Sequence, residues 1–284
     1  MGSSIKSLIQ FGADSLKRAG IENYYSDARI IFQYCSEYPI EKIISDSDDS
    51  IDDRVVQNFW VGIEKRAVGM PISKIFHHRE FYGLEFYVTE DTLDPRPETE
   101  LIIDNVLSFY NTEEEIKILD LGTGTGCLAI SLLSVFYKSN AVAVDISEKA
   151  LTVAKKNAIF HDMLARIFFV QSNWFDALNE NYKFDCIVSN PPYIATRDLE
   201  FLDDNVKKYD PVLALDGGKS GVDHYRKIAA KLSHYLTDFG IAVFEFGKGQ
   251  EDILIDLFKS SGYKIVEISA DLAGIKRTMT ISKR

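Results

Sequence analysis

The feature that most constrains this fold is a regular alternation of strand-like and helix-like segments after residue 115. The strand-like segments are short, apolar and rich in β-branched or aromatic residues, as buried strands are. Strands are predicted at 116–121, 141–146, 167–171, 184–189, 241–246, 265–269 and 276–281. Helical patterns fit between most of them, which predicts a doubly wound α/β sheet of the Rossmann-like type.

The connection between the last two predicted strands is short. Only a few residues around Asp271 to Gly274 separate them. A parallel pair needs a crossover of a dozen or more residues, so these two strands are expected to pair antiparallel. The prediction is a seven-stranded, mostly parallel sheet with an antiparallel last strand.

The first hundred residues are predicted to be mainly helical, because apolar positions recur at helical spacing. Gly20 is the predicted end of a first helix, Ser26 the predicted cap of a second, and Ser50 the predicted start of a third. Segments 76–81 and 84–88 then flank Tyr82-Gly83 and predict a β-hairpin.

Two prolines follow the hairpin and precede a helix predicted from Glu98 to about Tyr110. We therefore predict a helical N-terminal domain at 1–72, a hairpin linker at 73–92 and an α/β domain at 93–284.

A glycine-rich loop follows the first strand of the α/β region. Its sequence is Asp120-Leu121-Gly122-Thr123-Gly124-Thr125-Gly126. Glycines let a ligand approach the backbone closely, and the helix start after them supplies free N–H groups. The GxGxG spacing lacks the final spacing of the dinucleotide motif GxGxxG.

Asp145 ends the second strand, 23 residues after Gly122. Nucleoside-binding α/β proteins place a carboxylate there to accept hydrogen bonds from ribose hydroxyls. A plain helix N-terminal acid is the alternative, because Ser147 and Glu148 follow. Up to this point NAD and S-adenosylmethionine fit equally well.

The end of the fourth strand decides between the two cofactors. It carries Asn190-Pro191-Pro192-Tyr193, at the edge where open sheets bind ligands. A conjugated nitrogen is a poor nucleophile because its lone pair is delocalised. The Asn190 side-chain oxygen and the Pro191 carbonyl can hold its N–H groups, and Tyr193 offers a flat face for a planar group. These residues predict methyl transfer from S-adenosylmethionine to a planar, amide-like nitrogen.

Ser172-Asn173-Trp174-Phe175 follows the third strand. We expect Trp174 to lie against the adenine of the cofactor. A purely structural aromatic is a close alternative at this position.

The charge distribution bears on the substrate. The chain has 43 acidic and 32 basic residues, for a net charge of −11, and residues 1–110 alone carry 19 acidic against 11 basic side chains, a local net of −8. Nucleic-acid binders usually show a basic stripe instead. We therefore expect no direct nucleic-acid partner, although an adenine or cytosine amino-methyltransferase acting on DNA or RNA remains the alternative.

Other expectations follow from residue usage. The three cysteines form no CxxC pair, and the adjacent His77 and His78 would point to opposite faces of a strand, so we expect no metal. No apolar run approaches the length that spans a bilayer, so we expect no membrane association and a cytoplasmic protein. We expect it to be a monomer.

Several longer motifs make the chain resemble the HemK/PrmC family, the protein-(glutamine) methyltransferases that modify the Gly-Gly-Gln glutamine of release factors. The similarity covers nearly the whole chain. The motifs are Arg79 to Gly83, Pro95-Arg96-Pro97-Glu98-Thr99-Glu100, the glycine loop, Asn190 to Tyr193, Asp210 to Gly218 with Gly221 and Tyr225, and Asp271 to Arg277. Asn-Pro-Pro-Tyr alone is shared with nucleobase amino-methyltransferases, whereas the proline-rich element and the Gly217-Gly218 element are far more specific.

The resemblance implies roles for individual residues. Cofactor binding is implied for Gly122, Thr123, Gly124, Thr125, Gly126, Asp145, Trp174 and Asn190. The substrate glutamine is placed at Asn190, Pro191, Pro192 and Tyr193, with Asn190, Pro191 and Tyr193 as the catalytic residues. The helical N-terminal domain is implied to help recognise the release factor, and S-adenosylhomocysteine is the expected product.

The chain departs from the family pattern at four positions. His77 stands where glycine usually precedes the hairpin, Asp94 replaces an apolar residue, and Asn173 replaces the usual Asp. Phe246 stands where many members have His or Ile.

Overall fold

A computed structural model of the protein describes residues 4–45 and 51–283. The chain divides into two compact units. One comprises Met1–His78 with Asp204–Tyr209, and the other comprises Arg79–Asp203 with Asp210–Arg284. The three-part division predicted at residues 72 and 92 stays a prediction.

The first unit is helical. Its helices before the hairpin are α1 (Ile5–Arg18), α2 (Tyr24–Ser36), α3 (Ile40–Ser45), α4 (Asp53–Ala67) and α5 (Ile72–Phe76). Their apolar stripes converge on a core whose fully buried members include Ile5, Phe32 and Phe59. The helical spacing of apolar residues in the sequence therefore marks the buried face of α1, α2 and α4.

The sequence predicts helix starts in this unit at Ser26 and Ser50. The prediction of Ser26 as a cap is wrong: α2 begins at Tyr24 after Asn23, and the Ser26 hydroxyl donates to the Asn23 carbonyl at 2.9 Å within the first turn. Ser50 lies outside the described residues. The side chain of Asp52 caps α4 by accepting from the Arg54 N–H at 2.7 Å.

The predicted hairpin is present as β1 (His78–Phe81) and β2 (Leu84–Tyr87). Tyr82 and Gly83 both have positive φ, 52° and 72°, which suits a two-residue turn between right-twisted strands. Phe76 was predicted to begin the first strand, but it ends α5 instead. His77 then takes a left-handed conformation with φ of 56°, which terminates the helix before the strand begins.

Seven strands between residues 117 and 283 form the larger sheet. They are β3 (Lys117–Leu121), β4 (Asn140–Asp145), β5 (Ile167–Gln171), β6 (Phe184–Ser189), β7 (Leu236–Glu245), β8 (Tyr263–Ala270) and β9 (Lys276–Lys283). The order is β5-β4-β3-β6-β7-β9-β8. Strand β9 pairs antiparallel with both β7 and β8, and the other pairs are parallel, as the sequence predicts.

Helices cover both faces of this sheet. In this unit they are α6 (Glu100–Phe109), α7 (Cys127–Val135), α8 (Glu148–Phe160), α10 (Asp223–Tyr235) and α11 (Glu251–Ser260), while the short helix α9 (Asp204–Tyr209) belongs to the first unit. On β3, Ile118 packs with α6 and α7, whereas Leu119 packs in the cluster formed with α10 and α11. Because the chain order reverses between β3 and β6, a crevice for a ligand opens at the carboxyl ends of these strands.

Candidate active site

The glycine loop turns sharply at the end of β3. The N–H groups of Gly122 and Thr123 donate to the Val144 carbonyl at 2.8 and 2.9 Å, which ties the loop to the end of β4. Gly124 has φ of 54°, and a Cβ atom built on it would meet nothing within 4 Å. The backbone at Gly124 therefore faces open space, as a loop that receives a ligand must.

Asp145 lies at the carboxyl end of β4 and closes one side of the loop. Its carboxylate accepts from the N–H of Gly124 and from the N–H of Ser147, each at 2.9 Å. Burial raises the pKa of Asp145, and the two backbone donors act in the opposite direction. These bonds fix the carboxylate and leave oxygen lone pairs for two further donors, such as vicinal hydroxyls.

Asp120 braces the loop from beneath. Its buried carboxylate accepts from the Thr123 hydroxyl at 2.6 Å and from the Ala129 N–H at 3.3 Å, at the start of α7. Burial raises its pKa to about 7. Asp120 therefore holds the two ends of the loop together from within the core.

The segment after β5 supplies an aromatic wall. Trp174 takes positive φ, 55°, and its ring centroid lies 5.3 Å from that of His224. Within the described part of the chain, its buried indole nitrogen and Nδ1 of His224 have no hydrogen-bond partner. Unsatisfied buried polar groups are costly, so these atoms suit contact with a polar heterocyclic ligand.

Asn190 follows β6 and lies beside the glycine loop. The preceding Ser189 hydroxyl donates to the Leu121 carbonyl at 2.6 Å, which pins the end of β6 to the end of β3. The Asn190 side-chain Nδ2 donates to the hydroxyl of Thr99 at 3.1 Å. The sheet itself therefore brings Asn190 to the switch point.

The backbone of Tyr193 is held from several sides. Its carbonyl accepts from the Gln250 side chain at 2.9 Å, and the next residue, Ile194, accepts from the Gly217 N–H at 2.7 Å. A Cβ atom on Gly221, where φ is 73°, would lie 2.5 Å from the Tyr193 carbonyl oxygen. Gly217 and Gly221 therefore allow close packing against the Asn-Pro-Pro-Tyr backbone.

Two further residues belong to the site and were not assigned from the sequence. Thr99 donates to Oε2 of Glu245 at 2.5 Å, and Tyr193 donates to Oε1 of the same carboxylate at 3.4 Å. Burial raises the pKa of Glu245 to about 7. Since 146 residues separate Thr99 from Glu245, only the motif Pro95 to Glu100 hinted at the first of them, and the sequence carried no signal for the second.

One pocket collects most of the predicted site. Its lining includes Gly122, Thr123, Gly124, Thr125, Asp145, Trp174, Asn190 and Pro192. Three predicted residues lie outside this lining. Gly126 caps α7, and a Cβ on it would crowd Ala154 and Ile130 at 3.2 Å; Pro191 is buried; Tyr193 lies next to Glu245.

The departures from the family pattern occupy distinct places. Asp94 and Asn173 line the pocket. Phe246 is fully buried in the cluster under α10 and α11. His77 is the residue that ends α5 in the left-handed region, a conformation that glycine adopts without strain.

Residues 4–45 and 51–283 contain no group of three or more His, Cys, Asp or Glu side chains arranged to hold a metal ion. No helix among them is both long and apolar enough to cross a membrane.

The fold and the site together define a class. The seven-stranded sheet with one antiparallel strand is the Rossmann-like fold of S-adenosylmethionine-dependent methyltransferases. The glycine loop and the Asp145 carboxylate lie at the switch point of this sheet. Family models agree: residues 92–217 match the methyltransferase small domain, and residues 7–76 match the PrmC N-terminal domain.

Similarity to known proteins identifies the family within this class of methyltransferases. The chain is 34% identical over 272 residues to the release factor glutamine methyltransferase of Agrobacterium fabrum, which covers 94% of this chain and 93% of that protein. It is 33% identical to the bifunctional methyltransferase of Rickettsia felis, over 99% of this chain and 58% of that longer protein. The chain belongs to the release factor glutamine methyltransferase family.

A solved structure agrees with the fold. The hMettl16 catalytic domain, solved in complex with MAT2A 3′UTR hairpin 6, superposes with a TM-score of 0.56 at 17% identity. The match covers 78% of this chain and 81% of that one.

Proposed function

We propose that this protein transfers a methyl group from S-adenosylmethionine to the side-chain amide nitrogen of the glutamine in the Gly-Gly-Gln motif of peptide-chain release factors. The observation that carries the proposal is the position of Asn190. Its amide lies at the switch point, in the same pocket lining as the glycine loop and Asp145. The family membership of the chain supports the same substrate.

The pocket residues fit the cofactor. Asp145 would accept hydrogen bonds from the ribose hydroxyls, and the loop at Gly122 to Gly124 would let the cofactor approach the backbone. The indole of Trp174 would contact the adenine. When bound, S-adenosylmethionine supplies an electrophilic methyl group on a positively charged sulfur. A metal is not part of the proposal, because no step requires one.

Asn190 and Pro191 orient the substrate nitrogen. Its lone pair is delocalised into the amide, so the two N–H groups must be held with the nitrogen in line with the methyl group. The Asn190 Oδ1 and the Pro191 carbonyl oxygen accept these two N–H groups. Such positioning can supply roughly 7–11 kcal/mol of a bimolecular barrier.

Tyr193 and the prolines complete the substrate site. Pro191 and Pro192 restrict the backbone and carry no N–H that would compete for the acceptors. The ring of Tyr193 stacks on the planar amide, and its position is fixed through Glu245 and the backbone contacts of Gly217 and Gly221.

The other assignments belong to the same proposal. Residues 1–72 form a domain that helps recognise the release factor, residues 73–92 a linker and residues 93–284 the methyl-transfer domain. The protein acts in the cytoplasm, where translation is terminated, as a monomer.

A DNA or RNA amino-methyltransferase is the alternative function, which the net charge of −11 disfavours.

Mass spectrometry tests the substrate assignment directly. A purified release factor is incubated with the protein and cofactor, and its Gly-Gly-Gln peptide is expected to gain one methyl group. The matched control is the release factor with Gln→Ala in that motif, which should gain none. Equal methylation of the control, or transfer to an oligonucleotide instead, would contradict the proposal.

A further inference from the structure

We infer that Thr99 and Glu245 are positioning residues that set which way the Asn190 amide faces, so that its oxygen is presented to the substrate nitrogen. This inference rests on the proposed function, because it concerns the acceptor of the substrate amide. Neither residue needs to touch the substrate or the cofactor to act in this way.

The Thr99 hydroxyl points toward Glu245. A hydroxyl has one proton to donate, and Thr99 directs it to Oε2 of Glu245 at 2.5 Å. A carboxylate only accepts, so an ionised Glu245 fixes this direction. The Thr99 oxygen is then left with lone pairs toward any other neighbour.

The Asn190 amide takes its orientation from Thr99. The Thr99 oxygen can only accept, so the Asn190 atom that faces it at 3.1 Å must be the NH₂ group. The carbonyl oxygen of the same amide then lies on the other branch of the side chain. A flipped amide would place two acceptors face to face and would lose the hydrogen bond.

Both residues of this network, Thr99 and Glu245, are buried. Thr99 and Glu245 are 3% and 2% exposed, so water does not compete for their hydrogen bonds. In a buried network a hydrogen bond is stronger, and an unmatched acceptor pair is costlier, than at the surface. The two residues therefore hold one amide orientation rather than a mixture of two.

Charged and titratable groups around Glu245 decide when this network holds. Glu98 raises the pKa of the carboxyl, Arg277 lowers it, and the Tyr193 and Thr99 hydroxyls donate to it. Tyr225 donates to the backbone carbonyl of Glu245 at 2.6 Å. Burial raises the pKa of the nearby Cys127 thiol to about 12, and the charge of Glu245 acts in the same direction. At Glu245 itself burial dominates and raises the pKa to about 7.

Protonation of Glu245 would release the network. A protonated carboxyl can itself donate to Thr99, and the Thr99 proton is then free to point at Asn190. Either amide orientation becomes satisfied, and the acceptor for the substrate is no longer specified. Methyl transfer should therefore fall as the pH drops through about 7.

The test compares Thr99→Val, Thr99→Ser and Glu245→Gln with the wild type in the full chain. Valine matches the shape of threonine without the hydroxyl, and serine keeps the hydroxyl. Single-turnover methyl transfer to a release factor, at saturating cofactor, should fall roughly 10- to 100-fold in Thr99→Val, by analogy with the loss of an outer hydrogen-bond partner that orients a metal ligand. Thr99→Ser should restore most of the rate, and calorimetry should show cofactor affinity close to that of the wild type in Thr99→Ser and Glu245→Gln.

The pH profile separates positioning from a merely structural role. The wild-type rate should decline below about pH 7, and this decline should be absent in Glu245→Gln. A wild-type rate in Thr99→Val, or an equal loss in Thr99→Ser, would overturn the inference. A wild type that methylates no glutamine would instead overturn the proposed function, so the two failures are distinct.

Discussion

The carboxylate of Asp145 and the backbone N–H of Gly124 are joined by a 2.9 Å hydrogen bond that links the end of β4 to the glycine loop. The glycine loop and the carboxylate that we propose to bind the ribose are thus one unit. A change at either residue should therefore alter cofactor binding before it alters the fold.

Replacing Asp145 by Ala should weaken S-adenosylmethionine binding by roughly 1.5–3 kcal/mol, because a charge-assisted acceptor is lost. Isothermal titration calorimetry measures the effect. Asp176→Ala is the matched control, since this exposed aspartate pairs with Lys231 away from the pocket lining. Unchanged affinity in Asp145→Ala, or an equal loss in the control, would refute the ribose assignment.

Asn190→Ala should leave the fold and much of the cofactor affinity intact. Methyl transfer should fall by roughly 100- to 1000-fold, as when one preorganised hydrogen-bonding group is removed from an active site. Asn190→Asp keeps an acceptor for the substrate but loses the NH₂ group that donates to Thr99, so its rate should also fall. Single-turnover rates at saturating cofactor measure both, and unimpaired transfer by Asn190→Ala would mean that the motif is misassigned.

The ring of Tyr193, rather than its hydroxyl, should position the substrate amide. Its hydroxyl contact with Glu245 is long, 3.4 Å, so Tyr193→Phe should cost less activity than Tyr193→Ala. The comparison is of methyl transfer at saturating cofactor. Equal rates in the two variants would show that the aromatic face has no part in catalysis.

The strands of the larger sheet were predictable because their apolar runs are long enough to mark burial. Predictions at 167–171 and 184–189 match β5 and β6. Strand β7 begins at Leu236, earlier than the predicted residue 241. The prediction missed these first residues because Thr237, Asp238 and Phe239 are partly or fully exposed and show no apolar pattern. The helices α3 and α5 escaped prediction because five or six residues do not complete two turns of periodicity.

The site was predictable where one motif holds all its residues together. The glycine loop is one continuous stretch of sequence, and so is the segment Asn190 to Tyr193. The order of the strands then brings these two stretches to the same edge of the sheet. The contact between Thr99 and Glu245 depends on how α6 and β7 meet in space, so local sequence carries no trace of it. The same holds for Gln250, which supports the Tyr193 carbonyl from a turn 57 residues away.

Gly221 should be essential for a reason of space. A Cβ there would lie 2.5 Å from the Tyr193 carbonyl, so Gly221→Ala must displace the Asn-Pro-Pro-Tyr backbone. Gly262→Ala is the matched control, because Gly262 also has positive φ, 92°, yet a Cβ on it would meet nothing within 4 Å.

Both glycine variants should lose stability through backbone strain, by about 1–2 kcal/mol for a residue forced into the left-handed region. Only Gly221→Ala should also lose methyl transfer, by at least about tenfold if a displacement near 1 Å costs what misplacement usually does. Thermal melts and single-turnover rates give the two readouts. Full activity in Gly221→Ala would show that this glycine does not hold the substrate site.

The buried carboxyl of Glu245 should make stability depend on pH. Its pKa is raised from 4.5 to about 7 in the folded protein. The folded state therefore holds a proton that the unfolded state releases between these values. Between pH 4.5 and 7 this residue's contribution to stability is lost as the pH rises.

Glu245→Gln removes that titration and should gain stability relative to the wild type as the pH rises from 5 to 8, by an amount on the order of 3 kcal/mol. Asp120, whose pKa is also raised to about 7, is present in both proteins, so its contribution cancels in the difference. Denaturant unfolding of both proteins across this pH range measures the effect. A difference in unfolding free energy that stays constant with pH would show that Glu245 is ionised throughout. A gain in stability alongside lost methyl transfer would show that the ionised carboxylate is kept for catalysis at a cost in stability.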